Sequence, residues 1–227
     1  MIEYVFLDLD DTILDFHKSE YVAIGKTMAD YGVEPTEEVR RRYQVINKWH
    51  WEQLELGNMN RQQVLEGRFE MLFREMGVNV DAAQVARKYT ENLAIGHYFL
   101  PGAEEATEAL SKKYRLYIVS NGTSSVQQGR MTSANLYRFF EKVFVSQDIG
   151  HNKPSREFFD HCFGQIPDFD IARAVMVGDS LTSDIKGGIN AGLTTVWINP
   201  GHKPCGDIRP DYEIESITQL EALLETM

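Results

Sequence analysis

Met1-Ile-Glu-Tyr-Val-Phe-Leu-Asp-Leu-Asp-Asp-Thr12 is the stretch on which the fold turns. A short apolar run rich in Val, Ile and aromatic residues predicts a buried strand over residues 3–7. Such a strand does not end on two carboxylates without compensation, because unpaired buried charge is very costly. Alternate residues of an extended chain share a face, so Asp8 and Asp10 project together from the strand's C-terminal end. Open α/β sheets bind ligands at that end. Two carboxylates converging there suit a divalent metal, a nucleophile with an acid/base partner, or both. The same pattern can also serve as a turn or a helix cap, so later segments have to decide.

Those segments carry further short β-rich runs at residues 115–120, 143–146, 174–178 and 194–198, separated by helix-periodic stretches. Strands alternating with helices predict βαβ units and a parallel sheet. Residues 15–97 hold no convincing strand. They are charged and helix-periodic, with breaks at 32–35, 56–60 and 76–81, and Leu65, Phe69, Leu72 and Phe73 fall at the spacing of one buried stripe. The expected organisation is a core of residues 1–14 and 98–227, with a helical insertion at 15–97. Inserted just after Asp8–Thr12, such a module would lie over the strand's end and act as a lid.

Composition narrows the partners. The 227 residues include 34 acidic and 23 basic side chains, a net charge of −11. That balance argues against a nucleic-acid polymer or an anionic membrane as the main partner. Cys162 and Cys205 form neither a disulfide framework nor a metal cluster. No signal peptide is evident, and no apolar run approaches the ~20 residues that span a bilayer. A cytoplasmic protein, monomeric or homodimeric, is expected.

Polar residues close the later strands as well. Ser120 ends the 115–120 run, and its hydroxyl with nearby backbone N–H groups can hold phosphate oxygens, while Thr123, Ser124 or Ser125 can cap the next helix. Lys153 precedes Pro154, which suits the first position of a helix and puts the lysine at or near the cap. A cation there is unfavourable unless an anion shares the site. Ala174-Val-Met-Val-Gly-Asp-Ser-Leu-Thr-Ser-Asp184 carries Asp179 at a strand end and Asp184 five residues on, a pattern resembling a metal-ligand loop, with a helix due near Leu181. In a parallel sheet Asp8, Asp10, Ser120, Lys153 and Asp179 meet in one crevice. With more carboxylates than cations, that crevice calls for a hard divalent ion such as Mg²⁺. A carboxylate approaching a phosphate dianion at ~4 Å faces about 4 kcal/mol per unit-charge pair, more than one lysine offsets. Metal, lysine and backbone donors together suit in-line phosphoryl transfer.

In this order, Asp8-Leu-Asp-Asp-Thr-Ile13, Ser120, Lys153-Pro154 and Gly178-Asp179-Ser180 with Asp184 resemble the four motifs of the haloacid dehalogenase-like phosphatases. The resemblance implies a three-layer α/β/α, Rossmann-like core with an α-helical cap inserted after the first motif. It implies that Asp8 is a nucleophile forming an aspartyl-phosphate, and that Asp10 protonates the leaving alkoxide and then activates water. Mg²⁺ would be held by Asp8, the Asp10 backbone carbonyl and Asp179, with Asp184 supporting the shell. Ser120 and Lys153 would hold phosphoryl oxygens, with Thr12, Asn121 and Gly122 as further substrate contacts. The run 178–188, with Asn190-Ala-Gly192 and Trp197-Ile-Asn-Pro200, is similar to the pyrimidine 5′-nucleotidase branch, which makes a nucleoside 5′-monophosphate the expected substrate among small phosphorylated metabolites. Phe16, Trp49, His50 and Trp51 are candidates to stack a base, or to pack the cap against the core. A sugar phosphate or phosphoglycolate is the alternative substrate. A dehalogenase needs neither the acid at Asp10 nor a metal, a phospho-receiver module is about half this length, and a mutase would release little phosphate.

Overall fold

The computed structural model describes residues 1–227, the side chain of Glu55 excepted. The chain divides into two compact units, residues 1–16 with 97–227 and residues 17–96. In the first unit six strands form one parallel sheet: β1 (Tyr4–Leu7), β2 (Arg115–Ser120), β3 (Lys142–Val145), β4 (Ala174–Gly178), β5 (Thr194–Ile198) and β6 (Tyr212–Ile214), in the order β3-β2-β1-β4-β5-β6. The register sets Leu7 of β1 between Ile118 and Val177, so the chain segments that follow β1, β2 and β4 leave the sheet side by side.

Both faces of the sheet are covered, which is why the strands read as continuous apolar runs rather than as alternating ones. Val5, Leu7, Leu116, Ile118, Val175 and Val177 pack into one cluster. It includes Leu110 of α5 (Ala103–Ser111), Met131 of α6 (Ser124–Ser133) and Leu220 of α10 (Leu220–Leu224). On the other face Phe6, Tyr117, Val119 and Met176 meet Phe158, Phe159 and Cys162 of α8 (Arg156–Phe163) and Ala191 of α9 (Lys186–Ala191). A four-residue helix, α7 (Ser146–Ile149), follows β3 directly.

β6 was not expected. Only three residues long, with Ile214 alone buried, it sits at the sheet edge and presents no apolar run to read. β3 lies one residue earlier than its apolar pattern suggested, because Ser146 opens α7.

The second unit contains four helices: α1, which starts one residue earlier (Phe16–Asp30), α2 (Glu37–Glu55), α3 (Arg61–Glu75) and α4 (Ala82–Ala94). Each later helix is opened by a side-chain cap. The Thr36 hydroxyl accepts from Val39 N, Asn60 forms a capping box with Gln63, and Asp81 accepts from Ala83 and Gln84 N. Gly77, at φ 68°, closes α3 in the left-handed conformation that glycine adopts without penalty. Tyr43, Phe69 and Tyr89 pack ring against ring with centroids 5.3–5.4 Å apart. The α3 stripe differs from expectation: Val64 and Arg68 are buried with Phe69, Leu72 and Phe73, while Leu65 is only half-buried. A polar chain threads three of the helices. Buried Glu20 of α1 accepts from Asn47 Nδ2 of α2 at 2.6 Å, and Asn47 Oδ1 accepts from Arg68 Nη1 of α3 at 2.7 Å. The Arg68 guanidinium lies 4.8 Å from the ring centre of Tyr89 on α4, so every helix contributes to it. Trp49 is half exposed, whereas His50 is buried with its Nδ1 on the carbonyl of Ile46 at 2.8 Å. No helix among the described residues is long and apolar enough to cross a membrane.

Candidate active site

The segments leaving the C-terminal ends of β1–β4 carry the polar residues singled out above. Sheet pairing runs one residue past β1, with Asp8 N donating to the Val177 carbonyl at 2.9 Å, which fixes the Asp8 side chain at the rim. The chain then turns tightly. Asp11 adopts φ 54° and its carboxylate accepts from Phe16 N at 2.9 Å, so the third aspartate of the run opens α1. Thr12 lies inside that turn with no exposed surface and its hydroxyl unpartnered.

Lys153 is the centre of the arrangement. Its Nζ donates to Asp8 Oδ1 at 2.7 Å, to Asp184 Oδ1 at 2.7 Å and to the Val119 carbonyl at 2.6 Å, and the residue is 1% exposed. Pro154 is not at the first helical position: Ser155 caps α8 by accepting from Phe158 N, and Lys153 stands two residues before that cap, in the preceding loop. A proline suits such a loop as well as a helix start, and the serine next to it is the stronger cap. Asn121 secures the loop, its Oδ1 accepting from Lys153 N and its Nδ2 donating to the Lys153 carbonyl, both at 2.8 Å. The Asn121 amide, expected near the substrate, is thus engaged with backbone.

Asp8, Asp179 and Asp184 offer carboxylate oxygens that all lie within 4.8 Å of one another. Asp184 also accepts from Ser180 N at 3.0 Å, and the Trp197 indole holds the Asp179 carbonyl at 2.8 Å. Gly178 makes the cluster possible, since a Cβ there would stand 2.2 Å from Asp184 Oδ2. Three carboxylates against one ammonium leave excess negative charge in a dry place, and the acidities register it. Burial pushes the Asp8 carboxyl up to about 8, with Asp184 and Asp10 adding to the rise and Lys153 opposing it. Asp179 is raised for the same first reason, then by Asp184 and Asp8. For Lys153 burial acts downward, and Asp184 and Asp8 outweigh it, holding the ammonium above its ordinary range. An all-oxygen donor set with this surplus charge fits a hard divalent cation.

Asp10 stands apart from that cluster. Its Oδ2 accepts from Gln127 Nε2 at 2.7 Å and its Oδ1 from Arg130. Ser120 Oγ accepts from the same Gln127 nitrogen at 2.8 Å and from Gly122 N at 3.0 Å. Both hydroxyl lone pairs are therefore filled, and its proton is the group left to donate. Gln127 and Arg130 were not found by sequence reasoning. The available signal was a Gln-x-x-Arg pair beside the apolar Val126 and Met131 on α6, polar residues on a face bound for the interior. Thr123, at the start of that helix, makes no side-chain cap bond.

Comparison with known proteins shows the family. Residues 5–198 match the family model of the haloacid dehalogenase-like hydrolases. The chain is 39% identical over 221 residues to the HAD-hydrolase YfnB of Bacillus subtilis, covering 97% of this chain and 94% of that one. It is 34% identical to the pyrimidine 5′-nucleotidase PynA of Streptococcus pneumoniae (96% and 93% covered). Against the pyrimidine 5′-nucleotidase YjjG of Escherichia coli the identity is 33% (98% and 97% covered). A crystal structure of YfnB bound to magnesium superposes with a TM-score of 0.93 at 38% identity, over 99% of both chains.

Proposed function

The chain belongs to the haloacid dehalogenase-like hydrolases, and from that premise we propose that it is a Mg²⁺-dependent phosphomonoesterase acting through an aspartyl-phosphate on nucleoside 5′-monophosphates. The observation that carries this reading is the buried Lys153 bridging Asp8 and Asp184 beside Asp179, a cluster short of positive charge. Asp8, Asp179 and the Asp10 carbonyl would hold the ion, with Asp184 kept in place by Lys153 and Ser180 N. When bound, Mg²⁺ supplies the positive charge that lets an anionic carboxylate meet an anionic phosphoryl group. The magnesium in the YfnB crystal supports this choice of ion.

The residues divide the work. Asp8 attacks phosphorus in line with the ester oxygen, and the P–O ester bond breaks as the Asp8–phosphorus bond forms. Asp10, held at both oxygens by α6, gives its proton to the departing alkoxide. It then takes a proton from the water that attacks phosphorus, which releases inorganic phosphate and restores Asp8. Lys153 holds the Asp8 carboxylate and Ser120 directs its proton toward a phosphoryl oxygen. Asn121 acts by fixing the lysine loop, the Gly122 N–H is engaged with Ser120 Oγ, and Thr12 lies buried in the turn after β1.

The nucleotidases PynA and YjjG, each matched over nearly its full length, favour a nucleoside 5′-monophosphate over sugar phosphates. Phosphate release should be measured across nucleoside monophosphates, sugar phosphates and phosphoglycolate, with and without EDTA, for the native protein and Asp8→Asn. Turnover is expected on nucleotides, abolished by chelation and by the substitution. Full activity of Asp8→Asn would end the proposal.

A further inference from the structure

We infer that Gln127 and Arg130 form a positioning clamp that aims the Asp10 carboxylate at the ester oxygen and locks it to Ser120. The inference rests on the reading of Asp10 as the proton donor. The two residues stand one helical turn apart on α6, so they share a face. A primary amide carries two N–H bonds, and those of Gln127 Nε2 go to Asp10 Oδ2 at 2.7 Å and to Ser120 Oγ at 2.8 Å. One rigid group therefore sets the distance between the proposed acid and the proposed phosphoryl donor.

The orientation of that amide is not arbitrary. Its carbonyl accepts from Arg130 Nη1 at 3.3 Å, and a flipped amide would turn oxygen toward both the Asp10 carboxylate and the serine lone pairs. Arg130 is fully buried, pairs with Asp10 Oδ1, and lies 5.7 Å from the ring centre of Phe16. Both Asp10 oxygens are thus held from one helix, on a side chain 27% exposed and so accessible to a substrate. Gly122 belongs to the device: a Cβ there would stand 2.4 Å from Gln127 Nε2, so the glycine leaves room for the amide.

A scaffold residue and a positioning residue differ in how their loss depends on the leaving group. An alkyl phosphate such as a nucleoside 5′-monophosphate expels a strongly basic alkoxide that needs a proton, whereas p-nitrophenyl phosphate expels a stable phenolate that does not. Because kcat/KM reports only steps up to the aspartyl-phosphate, it isolates the proton donation from the later attack of water. The experiment compares kcat/KM on both esters for the native protein, Gln127→Met, Gln127→Glu and Asp10→Asn, after urea unfolding has verified the fold of each. Gln127→Met keeps the volume and removes both hydrogen bonds; Gln127→Glu keeps the shape and repels Asp10. Either is expected to lose about 10²-fold on the nucleotide, the scale on which ~1 Å of misplacement is felt, and only a few-fold on the phenyl ester. Equal loss on the two esters, or no loss, while Asp10→Asn shows the split, would overturn the clamp. If Asp10→Asn itself discriminates between neither ester, Asp10 is not the acid, and the clamp falls with that reading.

Discussion

Chelating divalent cations is expected to make the protein less stable as pH rises, a direction opposite to ordinary acid denaturation. The perturbation acts on Asp8, whose carboxyl burial pushes from 3.8 up to about 8, and on Asp179, which shifts the same way. A group with a raised folded-state pKa keeps its proton in the native state after the unfolded chain has released it. For Asp8 the stabilising contribution is complete below about pH 4 and is lost as pH climbs toward about 8, at about 1.4 kcal/mol per pH unit. From about pH 5 to about pH 7, Asp8 alone then costs about 3 kcal/mol, a large share of a folding free energy of about 5–15 kcal/mol. Glu20, raised chiefly by burial, adds in the same sense. His50 opposes, since burial lowers its pKa and stability is lost as pH falls through about 6.5. Lys153 stays charged throughout this window and adds no slope. Urea unfolding across this pH range in EDTA should give a midpoint that falls with pH, while saturating Mg²⁺ should remove the fall by taking the protons' place. A midpoint in EDTA that is flat or rises with pH would refute the account of the carboxylate cluster.

Two further substitutions probe the supports. Gly178→Ala places a methyl 2.2 Å from Asp184 Oδ2, and should weaken Mg²⁺ binding by roughly 10-fold or more by calorimetry while the fold persists; an unchanged affinity would mean that Asp184 has no part in holding the ion. Arg68→Met removes the cation that acts on buried Glu20, and should cost about 3 kcal/mol in denaturant unfolding. Adding Glu20→Gln to that variant should recover part of the loss, and a single-variant midpoint equal to that of the native protein would count against the polar chain as a stabilising element.

Much of the sheet was legible because its strands are buried on both faces. Tyr4–Leu7 and Ala174–Gly178 are nearly unbroken apolar runs, and a parallel arrangement brings their C-terminal ends together. That is why Asp8 and Asp179 could be paired across 171 residues of sequence, and why Ser120 joined them. Less was legible where tertiary context decides. Lys153 looked like a helix-start residue because Pro154 follows it, while its real partners lie 145 and 31 residues away. Gln127 and Arg130 look like ordinary polar positions of a short helix until β1 places Asp10 against them. β6 owes its existence to an edge left open by β5 rather than to any pattern of its own.

The position of β1 has a consequence for how the chain emerges during synthesis. Tyr4 pairs with Arg115 on one side and Ala174 on the other, whereas all four helices of residues 17–96 are complete before either partner strand exists. Growing from its N-terminus, the polypeptide can assemble the helical bundle from neighbouring segments while its most apolar strand waits, unpaired, for more than a hundred residues. Leu14 meets Phe99 in an antiparallel contact, and Asp15 N donates to the Tyr98 carbonyl at 2.8 Å. The chain thus comes back beside its point of departure once those helices are made, and the waiting strand then gains β2 on one side and, some sixty residues later, β4 on the other.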